Sequence, residues 1–230
     1  MTLPQRTLRT LLHLVQYAMA QQDIRYYLNG LLLSVEGSEL RVVATDGHRL
    51  AFARASLESE HPRHEVVLPR KAVLELSKLL AETDAPVRIA LLGNQVRFNF
   101  GAVDLFTKVV DGKFPDYGRV IPTGHQNIIT VDRSGLLQAL QRTAILSNDK
   151  FRGVRWMLTE NSLRVSCTNT EQEEAPEEIE LAYCCAAIDI GFNVNYLLDV
   201  LNALSGSEVT CAFGDASSSV LMTDPALDNF

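Results

Sequence analysis

The chain lacks the features that mark several classes of protein. None of its 230 residues belongs to an apolar run of about 18 residues, the length that a membrane helix needs. Its first residues, MTLPQRTLRT, lack the basic and then apolar pattern of a secretion signal. Aromatic residues are few, at 7%, yet a hydrophobic content of 47% is enough for a folded core. These observations predict a folded, soluble, cytoplasmic protein.

Metal and disulfide motifs are also missing. The four cysteines, Cys167, Cys184, Cys185 and Cys211, show no C-x-x-C spacing, so we expect buried free thiols. The five histidines include no helical H-E-x-x-H pair. We therefore predict no metal site and no cofactor.

The charge of the chain favours no single class of partner. A net charge of −7 argues against nucleic acid, although an acidic protein can still present one basic face. The most acidic stretch is TEQEEAPEEIE, residues 170–180. It is either a solvated edge or a docking surface for a basic partner.

One short stretch, VATDGHRLAFA, brings together groups that catalyse reactions in enzymes. Asp46 and His48 could act as a general acid and base, and Arg49 could hold a carboxylate or phosphate. The flanking runs, however, are typical of strands, and Asp-Gly favours a tight hairpin turn. The residues alone leave both interpretations open, with the hairpin tip favoured.

The chain repeats a pattern of one helix followed by strands. Four segments carry apolar residues at i, i+3, i+4 and i+7, and they start at Leu3, Leu68, Val131 and Phe192. The starts are 65, 63 and 61 residues apart. Ser134 and the pair Asn193 and Asn195 are candidate helix caps. The regular spacing predicts four related half-domains.

Alternating strand patterns fill each repeat. The first repeat carries separate runs RYYLNGLLLSV, ELRVVAT and RLAFARA, and a further run, HEVVL, leads into the next helix. Two repeats make a domain, with the boundary at the polar segment Ile121–Asn127. We therefore predict an α+β fold of two pseudo-symmetric domains, residues 1–121 and 128–230, each with two helices packed on two antiparallel sheets.

Six motifs resemble, in order and at matching intervals, the bacterial DNA polymerase III beta subunit, the sliding clamp. They are QQDIRYYLNGLLL, VATDGHRLA, VLPRKAVLEL, VDGKFPDY, AILSNDKFRGVR and IGFNVNYLLDVLNAL. The likeness covers the middle and C-terminal domains of a family whose chains have three domains and close in pairs into a ring around duplex DNA. It implies a fragment without the last strand and the apolar tail. The implied function is that of a non-catalytic processivity factor.

The resemblance also implies two surfaces. A pocket for short apolar peptides of polymerases, the clamp loader and repair proteins would comprise Leu28, Thr45, Gly47, His48, Arg49, Leu50, Pro115, Arg119, Val120, Phe151, Asn193, Tyr196 and Ser219. A surface facing duplex DNA, without reading its sequence, would comprise Gln22, Arg25, Tyr26, Tyr27, Arg70 and Lys71. For Leu28, Leu50 and Val120, core packing is the alternative.

The subunit interface implied by the family would use Ile145, Leu146, Glu171, Glu173 and Glu174. Because the partner surface belongs to the domain that is not matched, we expect this chain to be monomeric, although the full-length protein forms rings. Two alternatives remain: a truncated clamp that binds peptides without encircling DNA, and an enzyme that uses Asp46 and His48.

Overall fold

A computed structural model describes residues 1–147, 152–171 and 173–227. The chain divides into two compact units, Met1–Asp116 and a second unit that begins at Tyr117. This division precedes the predicted linker at Ile121–Asn127. No helix within the described ranges is long and apolar enough to cross a membrane.

The first unit combines two helices with two antiparallel sheets. Its elements are β1 (Thr2–Pro4), α1 (Gln5–Val15), β2 (Gly30–Thr45), β3 (Leu50–Pro69), α2 (Arg70–Leu79), β4 (Pro86–Leu92), β5 (Gln95–Phe100) and β6 (Val103–Lys108). One sheet has the order β1-β4-β5-β6, and the other is the long β2-β3 hairpin.

The second unit repeats this plan. Its elements are β7 (Asn127–Asp132), α3 (Arg133–Thr143), β8 (Gly153–Thr159), β9 (Ser162–Thr168), β10 (Glu174–Glu180), β11 (Ile188–Asn193), α4 (Val194–Ala203), β12 (Glu208–Phe213) and β13 (Leu221–Thr223). Its sheets have the orders β10-β9-β8-β11 and β13-β12-β7. The predicted α+β fold, with two helices and two antiparallel sheets in each domain, is confirmed.

The helices form where the apolar spacing predicts them. Each begins directly after a strand, at Gln5, Arg70, Arg133 and Val194, and these starts keep the spacing of 65, 63 and 61 residues. In α1, Leu8, Leu12 and Val15 lie on one face and are fully buried. The apolar face of α1 therefore contributes to the core of the first unit.

Two strand predictions for the first repeat are wrong. The predicted strand from Arg25 begins only at Gly30, because Asn29 folds back on the preceding loop: its Nδ2 donates to the Asp23 carbonyl at 2.8 Å, and its Oδ1 accepts from the Asp23 amide at 2.9 Å. The first two predicted strands are also merged, because β2 contains both GLLLSV and ELRVVAT. Gly37, at φ +58°, lets β2 continue through two register shifts instead of ending. Likewise, β3 begins at Leu50 and contains both LAFARA and HEVVL.

The cap prediction is half right. Asn193 caps α4, since its side chain accepts from the Asn195 amide at 3.0 Å. The cap of α3 is Asp132 and not Ser134, because the last residue of β7 already places a carboxylate at the Gly135 amide, 2.5 Å away.

The cysteine prediction is also half right. Cys167 and Cys211 are buried, but Cys184 and Cys185 are exposed. These two thiols lie in the connection between β10 and β11.

Candidate functional site

The TDGH stretch forms the tip of the β2-β3 hairpin. The Thr45 hydroxyl donates to the Arg49 carbonyl at 2.6 Å and accepts from the Gly47 amide at 3.0 Å. Asp46 Oδ1 accepts from the backbone amides of His48 and Arg49 at 2.9 and 3.1 Å. The turn chemistry predicted from Asp-Gly is therefore present, and it leaves the His48 side chain exposed at the tip.

Arg49 anchors this tip to the end of the first helical segment. Its Nε donates to Asp46 Oδ2 at 3.1 Å, and its Nη2 donates to the Tyr17 carbonyl at 2.8 Å. Its guanidinium carbon lies 5.3 Å from the centre of the Tyr17 ring. The side chain is only 18% exposed, so Arg49 has a structural role in addition to any contact with a ligand.

The two groups predicted to face DNA meet within the first unit. Arg70 donates from Nη1 to the Met19 carbonyl at 3.2 Å, and its amide donates to the Asn29 carbonyl at 3.1 Å. The start of α2 is thereby joined to the loop that carries Gln22, Arg25, Tyr26 and Tyr27. Gln22, Arg25, Tyr26 and Lys71 are exposed, and Tyr27 and Arg70 are half-buried.

Arg25 is already engaged in a bidentate ion pair with Asp23. Its Nε and Nη2 donate to the two oxygens of Asp23 at 3.0 and 2.8 Å. Hydrogen bonding from Arg25 lowers the pKa of Asp23 from 3.8 to about 2, so the carboxylate is charged at neutral pH. Arg25 Nη2 also lies 3.3 Å from the Asp46 carbonyl, which brings this loop to the hairpin tip.

The predicted pocket residues differ in exposure. In the first unit, Leu28 is 2% exposed and packs in the core, the alternative given above for this residue. Leu50 is half-buried, and Pro115 is exposed. In the second unit, Arg119, Val120 and Ser219 are exposed, and Asn193 and Tyr196 are half-buried at the start of α4. Phe151 lies outside the described residues. Val120 is 59% exposed, which leaves an apolar side chain free to contact a ligand.

The predicted interface residues lie at one edge of the second unit. Ile145 is 80% exposed in the short turn after α3, and Leu146 is half-buried beside it. β10 begins at Glu174 and, among the strands that the structure describes, pairs with β9 alone, so it lies at the edge of its sheet. The exposed Glu171 and Glu173 precede this strand, and the Asn169 side chain accepts from the amides of both. α3 lies next to the edge strand, since Arg142 donates to both oxygens of Glu177 at 2.7 and 2.8 Å.

The arrangement offers little support for catalysis. Both oxygens of Asp46 accept hydrogen bonds from the hairpin itself, which is a turn-stabilising arrangement. Within the described ranges, no three His, Cys, Asp or Glu side chains are grouped so that they could hold a metal ion.

Sequence reasoning missed the supporting residues Tyr17 and Asp23. The Tyr17 contact is not revealed by a single motif, because Arg49 reaches it from 32 positions away in the chain. The alternation of acid and base in QQDIR was the one available signal for the Asp23–Arg25 pair.

Comparisons with known proteins agree with this fold. Residues 2–116 match the family described as DNA polymerase III beta subunit, central domain, and residues 118–230 match its C-terminal domain. The beta sliding clamp of Salmonella typhimurium is 48% identical over 225 residues, which cover 98% of this chain and 62% of that protein. The beta sliding clamp of Pseudomonas aeruginosa is 47% identical, with 99% and 62% covered.

A solved structure supports the same assignment. The crystal structure of the DNA polymerase III subunit beta from Pseudomonas aeruginosa has a TM-score of 0.97 and 46% identity, and it covers 100% of this chain and 63% of that one. The chain thus spans somewhat less than two thirds of the length of its relatives. The resemblance predicted from the six motifs is confirmed: this chain belongs to the DNA polymerase III beta subunit family, the sliding clamps, and comprises its central and C-terminal domains.

Proposed function

We propose that the chain is the peptide-docking part of a sliding clamp, a non-catalytic processivity factor that tethers DNA polymerases and other partners to duplex DNA. The observation that carries this proposal is the fixed hairpin tip at residues 45–50. Its carboxylate and its arginine hold the turn in place, while His48 remains exposed and Leu50 half-exposed. Such a preorganised polar and apolar edge suits the docking of a short peptide.

Each unit by itself offers contacts of the kind that a short peptide uses. On the first unit, the half-buried Leu50 would contact a Leu or Phe near the end of the peptide. On the second unit, the exposed Val120 offers an apolar contact, and Arg119, Asn193 and Tyr196 offer polar ones. We expect an affinity that is micromolar or weaker, because natural short-motif contacts bury little area.

The loop around Arg25 and the start of α2 would contact DNA. Lys71 is exposed at the first turn of α2, where its charge opposes the helix dipole, so helix stability does not explain it. Phosphate contacts of this kind carry no sequence information and weaken with salt. Lys71→Gln should reduce the slope of log affinity against log salt by about 1.

Ring closure would use the edge of the second unit. The exposed Ile145, in the turn after α3, would supply an apolar contact, and Glu171, Glu173 and Glu174, at the start of the edge strand β10, would form an acidic rim. We propose that this chain alone is a monomer in dilute solution, because the family pairs this edge with a domain that the chain does not match. Light scattering that returned a stable trimer, with retention on nicked circular DNA, would overturn this.

The test of peptide docking is a fluorescence-anisotropy titration with a labelled peptide that ends in Leu and Phe. Wild type should give a saturable curve at micromolar concentration, and Leu50→Ser should weaken binding about tenfold through lost apolar contact. Leu92→Ser is the matched control, since Leu92 is an exposed leucine on β4 of the same unit. Equal binding by the Leu50 variant would contradict the proposal.

A further inference from the structure

Arg25 touches the hairpin tip although it lies 21 residues earlier in the chain. Its Nη2 is 3.3 Å from the carbonyl oxygen of Asp46, the first residue of the turn. The same guanidinium is held in place by the two oxygens of Asp23. Arg25 is thus a fixed donor, because a bidentate ion pair limits both its position and its orientation.

Gly47 makes this approach possible. Its φ is +91°, a conformation that side-chain-bearing residues rarely adopt. A Cβ at this position would lie 2.9 Å from Arg25 Nη2 and 3.0 Å from Nη1. The guanidinium therefore packs directly on the backbone of the turn, and a Cβ at position 47 would displace it.

The hairpin is held from two directions by one stretch of chain. Arg49 reaches from the tip to Tyr17, and Arg25 reaches from the following loop to Asp46. Residues 17–25 thus position the turn that carries His48 and Leu50. This stretch is also part of the surface that we propose to face DNA.

We infer that Arg25 is a positioning residue of the peptide-docking hairpin: it acts on partner affinity by fixing the backbone of Asp46 and Gly47. The inference rests on the proposed function for its link to peptide binding. This positioning role is separate from the contact with DNA phosphate that we also propose for Arg25. Losing the contact lets the turn sample other conformations, so the peptide must select the docking conformation and binds more weakly.

The first experiment measures the affinity of the labelled peptide for Arg25→Gln. We expect binding about fivefold weaker than that of wild type, the size of effect produced by residues that act through a neighbour. Arg97→Gln is the matched control, because Arg97 makes an equivalent fork to Asp104, at 2.8 and 2.7 Å, on the other sheet of the same unit. Thermal unfolding of both variants checks that each is folded.

A double-mutant cycle separates positioning from a general loss of structure. Gly47→Ala should weaken peptide binding more in wild type than in the Arg25→Gln background. In wild type the new Cβ displaces the Arg25 guanidinium, whereas in the variant no guanidinium is present. The backbone strain at position 47 is the same in both. Additive effects of the two substitutions would overturn the inference. So would an Arg25→Gln variant that binds peptide as wild type does while its salt slope for duplex DNA falls by about 1.

Hydrogen exchange gives a readout that needs no peptide. The amide of Gly47, which donates to the Thr45 hydroxyl, should exchange faster in Arg25→Gln than in Arg97→Gln. If wild type bound no peptide, the proposed function would fail, and this exchange rate alone would decide the role of Arg25: faster exchange supports it, and an unchanged rate overturns it.

Discussion

Arg49 and Tyr17 form a polar and aromatic contact that ties the docking hairpin to the end of the first helical segment. The guanidinium donates to the Tyr17 carbonyl at 2.8 Å while its carbon lies 5.3 Å from the ring centre. One side chain therefore fixes the tip against a distant part of the chain.

Replacing Arg49 with Ala should lower the free energy of unfolding of the first unit by about 1–3 kcal/mol, the range for losing charged hydrogen bonds from a largely buried group. Urea denaturation followed by circular dichroism measures this. Lys78→Ala is the control, because the Lys78 side chain is 69% exposed and its ion pair with Glu75 lies at the surface. Such pairs contribute little to the free energy of unfolding. A change no larger than that of the control would mean that the contact does not stabilise the unit.

Gly30 begins β2 at a point where two backbones approach closely. A Cβ there would overlap the Leu68 carbonyl oxygen and would lie 2.9 Å from Val67 Cγ1. Gly30→Ala should therefore destabilise the first unit by about 1–3 kcal/mol, since the strand pair must separate. Gly153→Ala is the control, because a Cβ there meets no atom of the described residues within 4 Å, apart from its neighbours in the chain. If both variants have the same denaturation midpoint, the backbone at Gly30 is more adaptable than the structure indicates.

The Asp23–Arg25 pair makes a specific prediction about pH. The pKa of Asp23 is lowered from 3.8 to about 2 by hydrogen bonding from Arg25. A lowered folded-state pKa contributes stability that is present above about pH 4 and is lost as the pH falls towards 2. An NMR titration of the Asp23 carboxyl carbon should give a midpoint near 2 in wild type, and Arg25→Gln should move that midpoint upward. A midpoint that is the same in both proteins would show that the pair does not form.

The four thiols should react in two classes. Cys184 and Cys185 are exposed, whereas Cys211 is fully buried and its burial raises the pKa to about 12. Because the thiolate is the reactive form, a thiol reagent should modify two cysteines rapidly in the native protein and all four after denaturation. The double variant Cys184→Ser, Cys185→Ser should lose the rapid phase. Rapid modification of Cys211 in the native protein would contradict its burial.

Local rules predicted much of the fold. Helix positions followed from apolar spacing, and the hairpin followed from Asp-Gly, because both depend on residues close together in the chain. The predicted start of β2 was wrong because the side chain of Asn29 closes a loop with Asp23. Strand propensity does not report such a contact. The cap of α3 was wrong for a similar reason: Asp132 is a strand residue and a cap at once.

The site was less predictable than the fold. The sequence indicated that His48, Arg49 and Leu50 lie at a turn, but not that Arg25 and Tyr17 hold that turn. Those contacts join positions 21 and 32 residues apart, and they depend on how the loop after α1 folds.

Chemical-shift mapping tests the docking claim most directly. Unlabelled peptide that ends in Leu and Phe is titrated into isotope-labelled protein, and the backbone amide shifts are followed. We expect saturable shifts at residues 45–50, the tip of the hairpin. Shifts confined to other surfaces, or no saturable shift at millimolar peptide, would contradict it.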